Sequence, residues 1–349
     1  MEEIEMNNLK ADIIYENGQI ATMTEKQPFV EAAAVSGGRI IRIGSSSLME
    51  DIIDDSTEIF DLEGRYATPG FIETAESPVI TAFGRGVMLP LFDDDSVDAV
   101  IDDIEGAVFE KQREGVNRCF GYGFSASLTE GKHDEVLPLL DEAADGASVI
   151  LLSSGNSEIL LSASARSTAA AAFGTDDFSN VDISRLLALL APIDELDAAE
   201  AVKNISRGYL EEGYTYLCET FAPEYLAGIF AGLLNEVHED GLPFRFSISD
   251  SLHNSSAYTR TENIIPAEVI AQRTAGAAAE LGIASDFGTL EPGKYADMAI
   301  FNDDPFRSQT RRHVLPEAVM TVLSGRVSYD KQNILDDIMF EKIIHMEEL

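Results

Sequence analysis

The sequence predicts an α/β protein in which β structure at both ends of the chain flanks a middle part of alternating strands and helices. Two observations lead to this prediction. Short strand-like segments separated by glycine-containing turns occupy residues 11–62 and 297–329. Residues 69–287 instead alternate amphipathic helical segments with short apolar runs, which is typical of an α/β fold with a mainly parallel sheet. A length of 349 residues is sufficient for two domains of about 150 residues each.

The N-terminal strands have turn-forming residues between them. Asn17-Gly18, a dipeptide typical of tight hairpins, separates two strand-like segments and predicts that those two strands pair with each other. A second turn is predicted at residues 36–38, and the β structure is expected to continue to about Thr68. The predicted strands of this part are residues 11–15, 19–23, 32–35, 39–44 and 57–62.

The C-terminal part has the same character. A strand is predicted at residues 297–301, and a hairpin is predicted over residues 319–329. Because β units this short can hardly each hold a core, we expect the two ends to pack together. The predicted result is one composite β-sandwich domain of residues 1–68 and 288–349, with residues 69–287 inserted between them.

The middle part follows the period of helices and buried strands. Val100, Ile104 and Val108 recur at helical spacing and predict a helix over residues 96–114 with one buried face. The other predicted elements are the helices 134–144, 195–212 and 225–239 and the strands 120–124, 148–152, 214–218 and 244–248.

The charge balance restricts the classes of partner. Sixty-two acidic residues and 24 basic ones give a net charge of −38. A field of this sign repels phosphate backbones and anionic lipid surfaces, so we expect neither nucleic acid nor a membrane as a partner. Only eight of the basic residues are lysines. Such a surface suits a salty cytoplasm, and an ordinary acidic protein is the equally weighted alternative.

Cysteine usage and the first residues predict the compartment. Two cysteines, Cys119 and Cys218, cannot form a disulfide framework or a cysteine-rich metal site. The acidic start of the chain lacks the basic and apolar pattern of a secretory signal, and no apolar run approaches about 20 residues. We therefore expect a cytoplasmic protein.

Several segments at the two ends form a recognisable set. In the N-terminal part they are residues 11–23, 38–44 and 61–72, and in the C-terminal part residues 274–306 and 319–327. These segments resemble the amidohydrolase superfamily, most closely the amidohydrolase family 3 branch of metal-dependent hydrolases. The resemblance implies hydrolysis of non-peptide C–N bonds with one or two divalent metals such as zinc.

The resemblance also implies a (β/α)₈ barrel beside the small β domain. A complete barrel needs about 250 residues, whereas residues 69–287 number 219. We therefore expect a TIM-like barrel that is shortened or incomplete. Since exposed strand edges are rarely tolerated, we also expect a homo- or hetero-oligomer.

The metal ligands that the resemblance implies are replaced in this chain. In the family a His-x-His pair follows a Pro-Gly-Phe-Ile segment, and here those two positions are Ala75 and Ser77. A methyl group cannot bind a metal and a neutral serine hydroxyl is a poor ligand. We therefore predict no metal cofactor and a catalytically degenerate protein, a pseudoenzyme that serves in small-molecule binding, regulation or assembly with an active relative.

Other residues could line a site. Asn156 stands where relatives tend to carry a histidine, and Cys218 follows a predicted strand, where it could face the site or simply fill the core. Glu73 and Glu76 could bind a hard cation or belong to the acidic surface.

Two alternatives to the degenerate protein stay open. Asp250 with His253 could form an altered metal site in an active amide or cyclic-ureide hydrolase, although two ligands are fewer than a zinc site needs. The other alternative is a product that folds poorly, which would unfold without cooperativity.

Overall fold

The computed structural model describes residues 10–84, 87–178, 180–220, 222–236, 244–249, 266–307 and 315–331. The strands are β1 (Ile13–Glu16), β2 (Gln19–Ala21), β3 (Phe29–Val30), β4 (Ala32–Ser36), β5 (Arg39–Gly44), β6 (Glu58–Asp61), β7 (Tyr66–Pro69), β8 (Phe71–Glu73), β9 (Leu89–Pro90), β10 (Arg118–Phe124), β11 (Ser148–Ser153), β12 (Ile159–Leu161), β13 (Tyr214–Glu219), β14 (Arg245–Ile248), β15 (Met298–Phe301), β16 (Met320–Leu323) and β17 (Arg326–Asp330). The helices are α1 (Pro78–Phe83), α2 (Val97–Arg113), α3 (His133–Ala143), α4 (Ala163–Phe173), α5 (Ile183–Leu190), α6 (Glu195–Glu211), α7 (Glu224–Glu236), α8 (Pro266–Ala271) and α9 (Ala277–Glu280).

The chain divides into two compact units. Unit 1 consists of residues 1–76, 206–218 and 240–349, and unit 2 consists of residues 77–205 and 219–239. The predicted domain boundaries at residues 68 and 287 stay a prediction. Within the described residues, no helix has the length and apolar character needed to cross a membrane.

Strands from the two ends of the chain share a sheet in unit 1. The six-stranded sheet has the order β17-β16-β15-β7-β2-β3, and the four-stranded sheet has the order β5-β4-β1-β6. C-terminal β15 pairs antiparallel with N-terminal β7, so that Met298 faces Pro69 and Phe301 faces Tyr66. Buried side chains from both sheets, including Tyr15 and Ile300, form one hydrophobic cluster. Each end of the chain therefore completes the β structure of the other.

The hairpin predicted at Asn17-Gly18 is wrong. β1 pairs with β4 and β6, whereas β2 pairs with β3 and β7 in the other sheet. Asn17 has the positive φ of 54° that its turn requires. Its side chain donates to Asp61 at 2.8 Å, and the Gly18 N–H donates to the Glu31 carbonyl at 3.1 Å. A dipeptide of this type fixes a tight turn, but longer-range pairing decides which strands meet.

A third sheet of unit 1 has the order β14-β13-β8. β13 runs parallel to β8, and Leu217 lies opposite Glu73. Ile72 of β8 and Tyr216 of β13 pack against Ala277 and Ala278 of α9. This packing fixes the carboxyl end of β8, where the ligand positions implied by the resemblance begin.

The residue just before β13 lies so close to Ala299 of β15 that this position requires glycine. Gly213 has a φ of +88°, and a Cβ built at this position would lie 2.7 Å from the Ala299 Cβ. We expect Gly213→Ala to lower the free energy of unfolding by about 2–3 kcal/mol, because the backbone strain and the clash add. Gly64→Ala is the matched control, since Gly64 has a φ of +80° and open space around it. Equal losses for both variants in urea titrations would contradict the clash.

Unit 2 contains a mainly parallel four-stranded sheet. Its order is β12-β11-β10-β9, in which only β12 runs antiparallel to its neighbour. Helix α2 forms as predicted: the Ser96 hydroxyl accepts from the Ala99 N–H at 3.2 Å, and Val100, Ile104 and Val108 are buried on one face. The α/β class is confirmed.

A closed barrel is not found among the described strands. The strands of the middle part instead form separate sheets of three and four strands. A closed barrel needs eight strands paired all round. The shortened barrel therefore stays a prediction.

Candidate functional site

Ser77 is one of the two positions where the resemblance implies a metal-binding histidine, and in unit 2 it begins helix α1. Its hydroxyl accepts from the Ile80 N–H at 3.0 Å, as an N-cap does, and Pro78 occupies the first helical position. The same hydroxyl donates to the Glu219 carboxylate at 2.6 Å. The proton of this hydroxyl and one of its lone pairs are therefore both used within the fold.

Glu219, the last residue of β13, is a fully buried carboxylate. Its Oε2 accepts from Ser77 Oγ at 2.6 Å and from the Val79 N–H at 3.1 Å. Its Oε1 accepts from the Thr220 N–H at 2.9 Å and from the Ala222 N–H at 2.8 Å. Hydrogen bonds from backbone N–H groups to an ionised carboxylate are stronger than those between neutral groups. The carboxylate thus ties the end of β13 to the starts of α1 and α7.

Tyr122 of β10 lies within electrostatic reach of this carboxylate. Burial raises the pKa of the Tyr122 phenol well above its ordinary value, and the charge of Glu219 raises it further. The phenol therefore stays neutral at physiological pH. Its ring makes an edge contact with Phe92, with the centroids 5.5 Å apart.

Ala75, the other implied ligand position, lies in a short turn of unit 1. The buried carboxylate of Glu73 accepts from the Ala75 N–H at 2.7 Å and from the Glu76 N–H at 3.0 Å. The side chains of Ala75 and Glu76 are exposed. Glu73 therefore uses its Oε1 to hold the turn that follows β8.

Glu212 of unit 1 lies close to the same acidic turn. Partial burial raises the pKa of this carboxyl, and the charges of Glu76 and Glu73 raise it further, while Arg273 opposes the change. The carboxylates of Glu73 and Glu76, which the sequence singled out, therefore affect the pKa of Glu212, which the sequence did not single out.

This raised pKa predicts a pH dependence of stability. A group whose pKa is raised on folding favours the folded state below its unfolded pKa, and this contribution is lost as the pH rises through the folded pKa. We therefore expect Glu212→Gln to raise Tm at neutral pH by about 1–2 °C, which is ~0.5 kcal/mol after solvent screening. The difference should vanish in acid. Thermal unfolding at several pH values measures it, and a loss of Tm at neutral pH would contradict this account.

The remaining predicted site residues are Cys218, Asn156, Asp250 and His253. Cys218 is a fully buried cysteine of β13 that is in no disulfide. The backbone of Asn156 lies in a short 3₁₀ turn after β11, and its side chain lies outside the described residues. Asp250 and His253 also lie outside them. The roles of these residues stay predictions.

Sequence reasoning missed Glu219 and Glu212. The available indication was the position of Glu219, an acidic residue that directly ends the strand predicted for residues 214–218. Carboxylates at the carboxyl ends of parallel strands are often site residues in α/β folds. Glu212 has no comparable indication, because its raised pKa depends on burial and on residues distant in the chain.

The residues at the two implied ligand positions do not fit a divalent metal. Ala75 offers no donor atom, and the Ser77 hydroxyl points its proton at Glu219. The Glu219 oxygens each accept two hydrogen bonds already. Among the described residues, no group of three or more His, Cys, Asp or Glu side chains could hold a metal ion.

A segment in the C-terminal part matches a family model. Residues 249–329 match the family model described as "Amidohydrolase family". A similar protein is "Exoenzymes regulatory protein AepA" of Pectobacterium carotovorum subsp. carotovorum, 35% identical over 72 residues, which are 21% of this chain and 16% of that protein. Another is "Protein LONG AFTER FAR-RED 3" of Arabidopsis thaliana, 36% identical over 64 residues, which are 18% of this chain and 11% of that protein.

Two of the solved structures that align with this chain do so at low identity and with TM-scores below 0.5. An uncharacterized metal-dependent hydrolase from Pyrococcus horikoshii aligns with a TM-score of 0.42 at 16% identity, over 68% of this chain and 48% of that one. An adenosine deaminase from Xanthomonas campestris with bound zinc aligns with a TM-score of 0.37 at 12% identity, over 97% and 99% of the two chains.

The described fold and the matched segment define the class: an α/β protein with a C-terminal part of the amidohydrolase type. The match of residues 249–329 to the amidohydrolase family model agrees with the resemblance that the sequence indicated.

Proposed function

We propose that this protein is a catalytically degenerate member of the amidohydrolase family that acts by binding rather than by hydrolysis. One observation carries the proposal. At the position where the resemblance implies a metal-binding histidine, the Ser77 hydroxyl caps α1 and donates to buried Glu219. Restoring a metal there would require more than a new ligand, because it would also disrupt this network.

The architecture proposed with this function follows the resemblance. The two sheets that share the core of unit 1 would form the β-sandwich domain, and the parallel sheets would be what is left of a shortened barrel. A homo- or hetero-oligomer would cover the open strand edges. The printed name of the bacterial relative is that of a regulatory protein, and regulation is one of the non-catalytic roles open to a degenerate family member.

Hydrolysis assays test the proposal directly. Small amides and cyclic ureides should be hydrolysed at the rate of the protein-free solution, with or without added Zn²⁺ or Mn²⁺. Saturable, metal-dependent turnover would contradict it. The reason for this expectation is chemical: a family hydrolase needs a metal to acidify water and polarise the carbonyl, and positions 75 and 77 supply no suitable ligand.

The alternative is an active amide or cyclic-ureide hydrolase with an altered site at Asp250 and His253. It draws support from the end of β14 at Ile248, two positions before Asp250 in the sequence, because site residues of such folds follow the carboxyl ends of strands. If turnover is found, Asp250→Asn and His253→Ala should abolish it. Turnover that survives both variants would exclude this site. A poorly folding product, the other reading, would show no cooperative unfolding under any condition.

A further inference from the structure

The charge of the chain cannot be balanced by its own cations. With 62 acidic residues and 24 lysines and arginines, one-to-one pairing of every cation would still leave 38 carboxylates without a positive partner. Surface self-repulsion of this size opposes the compact state. The excess therefore has to be compensated by ions from the solution.

Helix α2 shows this repulsion in one element. Asp98 and Asp102 lie four residues apart, Asp102 and Glu105 three apart, and all three side chains are exposed together with that of Asp103. Like charges at these spacings destabilise a helix. A groove of about 620 Å³ lies between α2 and α3, and Glu142 of α3 adds a further carboxylate to its lining.

We propose that the folded state of this protein depends on concentrated monovalent salt, which screens the surface carboxylates as a diffuse ion atmosphere rather than through a bound ion. The range of the repulsion sets the concentration required. The Debye length falls from about 10 Å at 0.1 M salt to about 3 Å at 1 M, which is shorter than the separation of side chains one helical turn apart. The inference does not depend on the proposed function, since it concerns folding alone.

Thermal unfolding of the full chain in increasing KCl tests the proposal. We expect a cooperative transition whose Tm rises by about 10 °C between about 0.1 M and 1 M KCl. Sucrose, which favours burial without screening charge, should give a much smaller rise. A Tm that is unchanged by KCl, or that sucrose raises equally, would overturn the proposal.

Charge variants separate screening from other salt effects. A variant with Asp98→Asn, Asp102→Asn, Asp103→Asn and Glu105→Gln should reach a given Tm at a lower KCl concentration than the unchanged chain. The matched control removes the same charge from carboxylates that pair with cations, through Asp51→Asn, Glu63→Gln, Glu110→Gln and Glu317→Gln. The control should shift the KCl dependence less, and an equal or larger shift would overturn the screening account.

Discussion

Replacing Glu219 by alanine is expected to lower the free energy of unfolding by about 4 kcal/mol. The substitution leaves the Ser77 hydroxyl and the N–H groups of Val79, Thr220 and Ala222 without their acceptor in a buried place. Each buried polar group without a partner costs about 1–3 kcal/mol, and relaxation of the turn recovers part of this. Urea titration followed by circular dichroism, in a salt concentration at which the unchanged chain is folded, measures the loss.

Conservative and exposed variants make this result specific. Glu219→Gln should lower the free energy of unfolding by less than Glu219→Ala, because the amide oxygen still accepts hydrogen bonds. Some stability should still be lost, since the amide NH₂ group would face other donors. Ser77→Ala should lose about 1–2 kcal/mol, since it removes both the helix cap and one donor. In a double-mutant cycle Ser77→Ala and Glu219→Ala should couple, because their side chains share a hydrogen bond. Additive losses, or a loss for Glu76→Ala as large as that for Glu219→Ala, would contradict the account.

Replacing Asp297 by alanine is expected to destabilise unit 1 by about 3–5 kcal/mol. The carboxylate accepts from Arg245 at 2.9 and 3.3 Å and from the Ser324 N–H at 2.7 Å. Its side chain is 6% exposed, and that of Arg245 is 22% exposed. Removing one partner of a buried ion pair leaves the other charge uncompensated, which costs far more than loss of a surface pair. Chemical unfolding monitored by tyrosine fluorescence measures this loss.

The surroundings of Arg245 supply the control. The guanidinium lies 3.8 Å from the centroid of the Tyr295 ring, so an apolar replacement of similar length can keep this contact. The double variant Arg245→Met with Asp297→Ala should therefore recover part of the stability lost by Asp297→Ala alone. Asp286→Ala, which breaks the more exposed pair with Arg39, should have little effect. If Asp297→Ala costs no more than Asp286→Ala, burial is not what makes the Arg245 pair important.

Local patterns in the sequence predicted most of the elements because those elements depend on local rules. Val100, Ile104 and Val108 form the buried face of α2, and Ser96 caps it, as their spacing predicts. The strand predicted for residues 214–218 is present as β13 with one further residue, Glu219. Burial of every residue of this strand is what an apolar run between turn signals indicates.

Pairing and polar networks were harder to predict because they join distant residues. Asn17-Gly18 predicts a turn correctly and the pairing of β1 with β2 wrongly, since β4 and β6 compete for β1. The hydrogen bond between Ser77 and Glu219 spans 142 positions of the chain. Sequence pattern could show that a histidine was missing at position 77, but it could not show that the serine there has a structural role.

The metal content of the purified protein tests the central claim most directly. Elemental mass spectrometry should be done on protein purified without chelators and without an affinity metal, with Ser77→Ala protein measured beside it as a variant of the same position. The account predicts transition metal far below one atom per chain for both proteins, because Ala75 and Ser77 provide no ligands. Zinc, manganese or iron near one atom per chain would contradict it and would make the active hydrolase the leading explanation.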